Sequence, residues 1–132
     1  MALNNQTILC IDDDPDDLEM LIEAFHNIDR SYAITVATSG QKGLDRLHEM
    51  KNNKSLPCLI VLDVNMPGLD GRETFTAIKK EEEFFRIPIV IFSTSNSSLD
   101  KQFFQSKGIE YMTKPIDYTS LIKVASKLLS YC

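Results

Sequence analysis

The stretch CLIVLD at 58–63 is a continuous apolar run that ends in a carboxylate, Asp63. An unbroken apolar run of this length is typical of a strand that is buried on both faces of a parallel sheet. A second run of the same design, TILCIDD at 7–13, ends in Asp12 and Asp13. Because the carboxyl ends of parallel strands meet at one edge of the sheet, the two runs together predict an acidic pocket at that edge.

An acidic pocket of this kind needs a counter-charge. At an effective dielectric constant of about 20, two like charges about 4 Å apart repel each other by about 4 kcal/mol. The carboxylates must therefore hold either protons or a cation. A hard divalent ion is the natural occupant, because such ions prefer oxygen ligands.

The rest of the sequence alternates between strand and helix patterns. The predicted strands are 7–11, 32–38, 58–62, 87–92 and 109–112, and the predicted helices begin at Pro15, run from the N-cap Ser39 to Met50, and span 72–83, 98–106 and 117–130. Strands separated by helices require right-handed parallel crossovers, which place helices on both faces of an open sheet. The predicted fold is therefore α/β, a doubly wound five-stranded parallel sheet; in the order 2-1-3-4-5 of a flavodoxin-like sandwich, the switch point lies between strands one and three.

The composition fits one ordinary globular domain. Of 132 residues, 43% are hydrophobic and 25% are charged, so we expect a single domain over 1–132 with its core at about 7–131. The net charge of −5, without a basic block, argues against nucleic acid or a membrane surface as a partner. The sequence has no apolar stretch of about 18 residues, and the segment from Met1 to Gln6 has no signal-peptide core, so we expect a cytoplasmic protein.

Two further polar residues follow predicted strands. Ser93 comes directly after the fourth strand, and Lys114 follows the fifth. Ligands of such sheets bind at the switch point between strands one and three, so both side chains should lie near the carboxylates. A hydroxyl and an ammonium suit a phosphoryl group, which needs donors and positive charge around its oxygens. One carboxylate could then act as a nucleophile and form an aspartyl phosphate.

Four sequence blocks carry a resemblance to a known family. They are IDDD at 11–14, LDVNMPGLDG at 62–71, FSTS at 92–95 and MTKP at 112–115. In this order and at this spacing they resemble the receiver domain of two-component response regulators (CheY-like), over about residues 7–131. The segments DDDPDDLE at 12–19 and RIPIVIFSTS at 86–95 are also similar to stand-alone receivers related to those paired with phytochrome-type kinases.

The resemblance implies a phosphorylatable signalling switch. Asp63 would accept a phosphoryl group from the phosphohistidine of a sensor histidine kinase or of a histidine phosphotransfer protein. Mg²⁺ or Mn²⁺ would be held by Asp63, by Asp13 directly and by Asp12 mainly through water. The backbone carbonyl of Asn65 would be a further metal ligand, and Lys114 would contact the phosphoryl group.

The same resemblance assigns the residues that move. Ser93, where the family more often has Thr, would donate its hydroxyl to a phosphoryl oxygen and shift together with Tyr111. Ser95 matches a position that tunes the lifetime of the phosphoryl group. The peptide bond between Lys114 and Pro115 is expected to be cis. Beyond catalysing its own phosphorylation and dephosphorylation the chain is not expected to be an enzyme, and no organic cofactor is implied.

The expected partners follow from the same family. An output domain does not fit within 132 residues, so the effect is expected on a separate downstream protein. The face made by the fourth helix, the fifth strand and the fifth helix would carry the signal. The resemblance also allows a homodimer through this face.

The residues leave other functions open. The fold could serve as an interaction module that is never phosphorylated. A Mg²⁺-dependent phosphatase with an aspartyl nucleophile would need a second carboxylate two residues later, where this chain has Asn65. A flavodoxin-like cofactor binder would need a phosphate-cradling loop, but the first loop here reads DDDPDD. Taken alone, the residues from Asp12 to Asp17 could also be a solvated helix start.

The three cysteines show neither an even framework nor metal-ligand spacing. Cys10 and Cys58 lie inside predicted strands, and Cys132 is the last residue. The prediction is therefore two buried small side chains and one terminal thiol.

Overall fold

The computed structural model describes residues 6–132, so the prediction that Met1 to Gln6 holds no signal peptide falls almost entirely outside the described residues. Strands and helices alternate along the chain. They are β1 Thr7–Ile11, α1 Pro15–Ile28, β2 Ala33–Ala37, α2 Gly40–Asn52, β3 Leu59–Leu62, α3 Gly71–Lys80, β4 Ile89–Ser93, α4 Ser98–Gln105, β5 Tyr111–Thr113 and α5 Tyr118–Leu129. Within the described range, no helix combines the length and the apolar character that spanning a membrane requires.

The five strands form one parallel sheet in the order β2-β1-β3-β4-β5. This confirms the predicted strand order. The strand order reverses between β1 and β3, which are neighbours and end in register, with Ile11 opposite Leu62. The residues that follow these two strands therefore leave the sheet side by side, at the switch point.

Both faces of the sheet are covered by helices, which explains the unbroken apolar runs. One face of β1, with Ile8 and Cys10, packs against α1 and α5. The opposite face, with Leu9 and Ile11, packs in the core that includes residues of α2, α3 and α4. Because successive side chains of a strand point to opposite faces, each of the four buried positions of β1 after Thr7 carries an apolar residue.

Side-chain caps determine where two helices near the acidic edge begin. Asp14 accepts hydrogen bonds from the backbone N–H groups of Asp16 and Asp17, at 3.0 and 3.3 Å. Asp70 accepts from the N–H of Glu73, whose side chain in turn accepts from the N–H of Asp70, a capping box. Each cap satisfies amide groups that the first turn of a helix leaves unpaired. Both α1 and α3 therefore begin close to the end of a buried strand.

The predicted element boundaries differ from the structure mainly at the later elements. Ser39 is the N-cap of α2, as predicted. The third helix ends at Lys80 rather than at 83, because tight turns follow it. The fifth strand begins at Tyr111 rather than at 109, because the N–H of Ile109 donates to the carbonyl of Phe104 and belongs to the connection from α4.

Cys58 and Cys132 form a disulfide, so the predicted terminal thiol is wrong, and so is the prediction of Cys58 as a buried small side chain within a strand, since it is half-buried just before β3. Their Cα atoms lie 5.2 Å apart although 74 positions separate them in the sequence. Sequence spacing cannot show that the end of α5 packs beside the start of β3. Cys10 is free and buried, as predicted, and burial with the nearby charge of Asp12 raises its thiol pKa to about 12.

Candidate functional site

Asp12, Asp13 and Asp63 converge at the carboxyl edge of the sheet. One carboxylate oxygen from each lies within 4.8 Å of the other two. Asp12 and Asp63 are buried, whereas Asp13 is exposed. Among residues 6–132 no other group of three metal-ligating side chains is arranged in this way. The arrangement fits a hard divalent ion that is held by oxygen atoms and remains open to solvent on one side.

Backbone hydrogen bonds hold both acidic strand ends in place. The N–H of Asp12 donates to the carbonyl of Ala37, and the N–H of Asp63 donates to the carbonyl of Ile11, both at 3.0 Å. The N–H of Val64 donates to Oδ1 of Asp63 at 2.9 Å. These bonds continue the sheet pairing one residue past its end, so the carboxylates are positioned by the sheet.

Gly71 brings the start of α3 against the loop that follows Asp63. A Cβ at Gly71 would lie 2.5 Å from Cα of Val64 and 2.7 Å from the carbonyl oxygen of Asp63. The N–H of Gly71 donates to the carbonyl of Val64 at 2.9 Å. Because both close atoms belong to the backbone, only glycine fits here without moving the loop.

Lys114 supplies positive charge to the acidic cluster. Its Nζ lies 2.6 Å from Oδ2 of Asp12, 2.8 Å from Oδ2 of Asp17 and 3.9 Å from Oδ2 of Asp63. Only 9% of the Lys114 side chain is exposed. Its backbone N–H donates to the carbonyl of Ser93 at 2.9 Å, which ties the end of β5 to β4. The ammonium is therefore positioned to balance charge on the buried carboxylates.

Asp17 is the site residue that sequence reasoning missed. In the sequence it belongs to the acidic start of α1, where a solvated carboxylate is the ordinary expectation. The available signal is its spacing, since Asp17 lies four positions before Leu21, whose side chain is buried in the core. Residues four apart share one face of a helix, so Asp17 continues the inward-facing stripe toward the strand ends.

The expected cis bond between Lys114 and Pro115 is wrong, because none of the described peptide bonds is cis. The trans form of such a bond is favoured by about 0.5–1 kcal/mol. In this trans geometry the Lys114 ammonium already reaches the carboxylates.

Ser93 and Tyr111 meet at one shared residue. Ser93 is fully buried as the last residue of β4, and its Oγ accepts from the N–H of Ser95 at 3.1 Å. The hydroxyl of half-buried Tyr111 donates to the carbonyl of Ser95 at 2.9 Å. Asn65 is exposed in the loop that follows Asp63. The segment after β4 therefore connects the two predicted switch residues.

The charges of the site shift the ionisation of two of its members. The pKa of Asp63 is raised to about 6; burial is the largest cause and the charge of Asp12 adds to it, while the charge of Lys114 and the Ser93 hydroxyl oppose the shift. Burial alone lowers the pKa of Lys114, but its hydrogen bonds to Asp12 and Asp17 outweigh burial and raise it. Near neutral pH, Asp63 is therefore an ionised carboxylate beside a charged ammonium.

Asp63→Asn should raise the free energy of unfolding by about 1–2 kcal/mol at neutral pH. The folded-state pKa of Asp63, about 6, exceeds the ordinary value of 3.8. The folded protein therefore binds more protons between these values, and its stability falls as the pH rises from about 4 to about 6. Urea unfolding of both proteins should show this gain at about pH 7.5 and no gain at about pH 3.5. A variant less stable than the parent at about pH 7.5 would contradict the raised pKa.

Comparison with protein families identifies the class of protein. The family model described as the response regulator receiver domain matches residues 8–126, and the chain belongs to this family. The chain is 30% identical over 127 residues to the probable methanogenesis regulatory protein FilR2 of Methanothrix harundinacea, a match that covers 94% of this chain and 81% of that relative. The resemblance carried by the four sequence blocks is therefore confirmed.

Solved structures agree with this assignment. The phosphorylated cyanobacterial phytochrome response regulator RcpA superimposes with a TM-score of 0.81 at 28% identity, covering 96% of each chain. The Mn²⁺-bound form of response regulator Rcp1 superimposes with a TM-score of 0.79 at 26% identity, covering 95% of this chain and 92% of that one. Receiver domains are signalling switches of two-component systems that interact with histidine kinases and downstream effectors, and they are generally not classical enzymes.

Proposed function

We propose that this chain is a phosphorylatable switch in which Asp63 accepts a phosphoryl group from a phosphohistidine. The donor would be a sensor histidine kinase or a histidine phosphotransfer protein. The observation that supports this most strongly is the Nζ of Lys114, 3.9 Å from Asp63 and within a cluster of three carboxylates. Carboxylates alone would indicate only a cation site. The buried ammonium adds the positive charge that a phosphoryl group needs around its oxygens.

Asp63, Lys114 and Ser93 would each have a role in the transfer of the phosphoryl group. One carboxylate oxygen of Asp63 attacks phosphorus while the bond from phosphorus to the donor imidazole nitrogen breaks, and the electron pair leaves with the imidazole. The Lys114 ammonium and the Ser93 hydroxyl donate hydrogen bonds to phosphoryl oxygens. These donors offset negative charge that the burial of Asp63 would otherwise make costly.

The acidic cluster fits Mg²⁺ or Mn²⁺ as the metal. Asp12, Asp13 and Asp63 would contribute carboxylate oxygens, Asp12 mainly through water, and Asn65 its backbone carbonyl. A bound divalent ion supplies positive charge that reduces repulsion between phosphoryl and carboxylate oxygens. The convergence of three carboxylates and the Mn²⁺-bound structure of Rcp1 support this assignment.

Phosphorylation would act by shifting a conformational equilibrium. Ser93 and Tyr111 would move, and the face formed by α4, β5 and α5 would change its affinity for a separate protein. A phosphoryl group can bias the equilibrium only through its different interactions with the two states. The proposal also includes a single receiver domain over 1–132 and a cytoplasmic location, and the family resemblance allows a homodimer through this same face.

Incubation with Mg²⁺ and acetyl phosphate tests the proposed acceptor. Intact-mass spectrometry should show one added phosphoryl group on the parent chain and none on Asp63→Asn. Asp45→Asn is the matched control, because Asp45 is an exposed carboxylate on α2, and it should be phosphorylated like the parent. Chelation of the metal with EDTA should abolish the gain in mass.

Two outcomes would contradict the assignment of Asp63 as the phosphoryl acceptor. A phosphoryl group that persists in Asp63→Asn would place the acceptor elsewhere. A parent chain that takes no phosphoryl group from acetyl phosphate or from a panel of phosphorylated histidine kinases would favour the interaction module that is not phosphorylated. The same kinase panel would identify the donor if one transfers rapidly to the parent chain.

A further inference from the structure

Ser95 is the centre of a hydrogen-bond chain that leads from Ser93 out of the site. Its N–H donates to Oγ of Ser93 at 3.1 Å, and its carbonyl accepts from the hydroxyl of Tyr111 at 2.9 Å. Its own hydroxyl donates to Oδ2 of Asp100 and accepts from the N–H of Ser97, both at 3.3 Å. Every polar atom of Ser95 is thus engaged, so its position depends on these partners.

The outer end of this chain is an ion pair between α3 and α4. Nε and Nη2 of Arg72 lie 3.0 and 2.8 Å from Oδ1 of Asp100, which leaves the other carboxylate oxygen to Ser95. Only 17% of the Asp100 side chain is exposed. The guanidinium also lies 4.8 Å from the centre of the Phe103 ring. Arg72 directly follows Gly71, where α3 begins in close contact with the loop after Asp63, so the ion pair connects this end of α3 to α4.

The orientation of the Ser93 hydroxyl depends on the hydrogen bond that its oxygen accepts from Ser95. A hydroxyl has one proton to donate and lone pairs with which to accept. Because Oγ of Ser93 accepts from the N–H of Ser95, its own proton is left to point to a different acceptor. If Ser95 moved, the hydroxyl would lose the bond that orients it.

We propose that Arg72 and Asp100 are positioning residues for phosphorylation, which act through Ser95 to aim the Ser93 hydroxyl at the phosphoryl group. This inference rests on the proposed function of Asp63. Neither residue contacts Asp63 or Lys114 by a hydrogen bond or an ion pair among the described residues. Their contribution is to hold the segment between β4 and α4 against α3.

Removing either partner should slow phosphorylation by acetyl phosphate. For Arg72→Ala and for Asp100→Asn we expect a decrease in rate on the order of fivefold, the effect of losing about one net hydrogen bond in the transition state. Arg72→Lys keeps a charged donor to Asp100 and should recover part of the rate. Arg46→Ala is the matched control, because it removes an exposed arginine ion pair on α2, and it should leave the rate unchanged.

A double-mutant cycle separates positioning from a general structural effect. In a Ser93→Ala background no hydroxyl remains to be aimed, so adding Arg72→Ala should cause no further decrease in rate. A second readout needs neither metal nor phosphoryl group. Hydrogen exchange of the Ser95 amide should become several-fold faster in Arg72→Ala and should be unchanged in Arg46→Ala.

The outcomes distinguish this inference from the function on which it rests. A parent chain that is never phosphorylated overturns both. A parent chain that is phosphorylated, together with parental rates in Arg72→Ala and Asp100→Asn, overturns the inference alone. So does an equal decrease caused by Arg72→Ala with and without the Ser93 hydroxyl. Circular dichroism and thermal melts identify any variant that fails to fold. If Arg72→Ala does not fold, the phosphorylation rate of Asp100→Asn, which changes the fewest atoms, is compared with that of the parent chain.

Discussion

Lys114→Met should lower the free energy of unfolding by about 3 kcal/mol at neutral pH and slow phosphorylation about a hundredfold. The ammonium lies against the buried carboxylates of Asp12 and Asp63 and also contacts Asp17. Its removal leaves negative charges close together without their partner, which is costly where water is excluded. It also removes a donor that the phosphoryl oxygens would need.

Urea unfolding and phosphorylation by acetyl phosphate measure the two effects of Lys114→Met. The loss of stability should shrink at about pH 4, because protonation then removes the repulsion between the carboxylates. Millimolar Mg²⁺ should reduce it as well, since the cation replaces the missing charge. Lys51→Met is the control: its ion pair with Glu83 is solvated on both sides, so the expected change is below about 1 kcal/mol. Equal losses in the two variants would show that Lys114 is not the counter-charge of the cluster.

Cys132→Ser should lower the free energy of unfolding of the oxidised protein by about 4 kcal/mol. The disulfide closes a loop between positions 74 residues apart, and a crosslink of that span removes much conformational freedom from the unfolded chain. Denaturant unfolding with and without dithiothreitol should show the same decrease on reduction of the parent protein. The reductant should leave the stability of Cys132→Ser unchanged.

The disulfide can be removed by substituting either of its two cysteines. Cys58→Ser, Cys132→Ser and the double variant should have equal stabilities if the disulfide accounts for the effect. A much larger loss in Cys58→Ser alone would instead indicate packing around Cys58. Cys58 lies five residues before Asp63 along an extended strand, roughly 16 Å away, so the phosphorylation rate should not change.

The strand pattern accounts for most of what could be predicted. Both apolar runs become strands buried on two faces, and their neighbouring ends bring Asp12, Asp13 and Asp63 together. Ser93 ends β4, and the ammonium of Lys114 reaches the same pocket from just beyond β5. These placements were predictable because the carboxyl ends of parallel strands share one edge, and local periodicity is enough to identify the strands.

The contacts that sequence reasoning missed all depend on how helices pack. The pairing of Asp17 with Lys114 requires α1 to cross the end of the sheet, and the pairing of Arg72 with Asp100 requires α3 to lie beside α4. The bond between Cys58 and Cys132 requires α5 to end beside β3. The cis bond before Pro115 was expected from the family resemblance alone, whereas the ordinary preference of a bond before proline is the trans form that the structure has.

The sequence by itself determined the α/β class, the parallel sheet and the edge at which the charged residues collect. Hydrophobic period and residue type are local properties, and together with the handedness of parallel crossovers they restrict the fold to a doubly wound parallel sheet. Only the tertiary structure decided which of several carboxylates pairs with Lys114, how Ser95 is held and which cysteines bond. Those choices depend on distances of a few ångströms between helices that are far apart in the chain, and no local pattern encodes them.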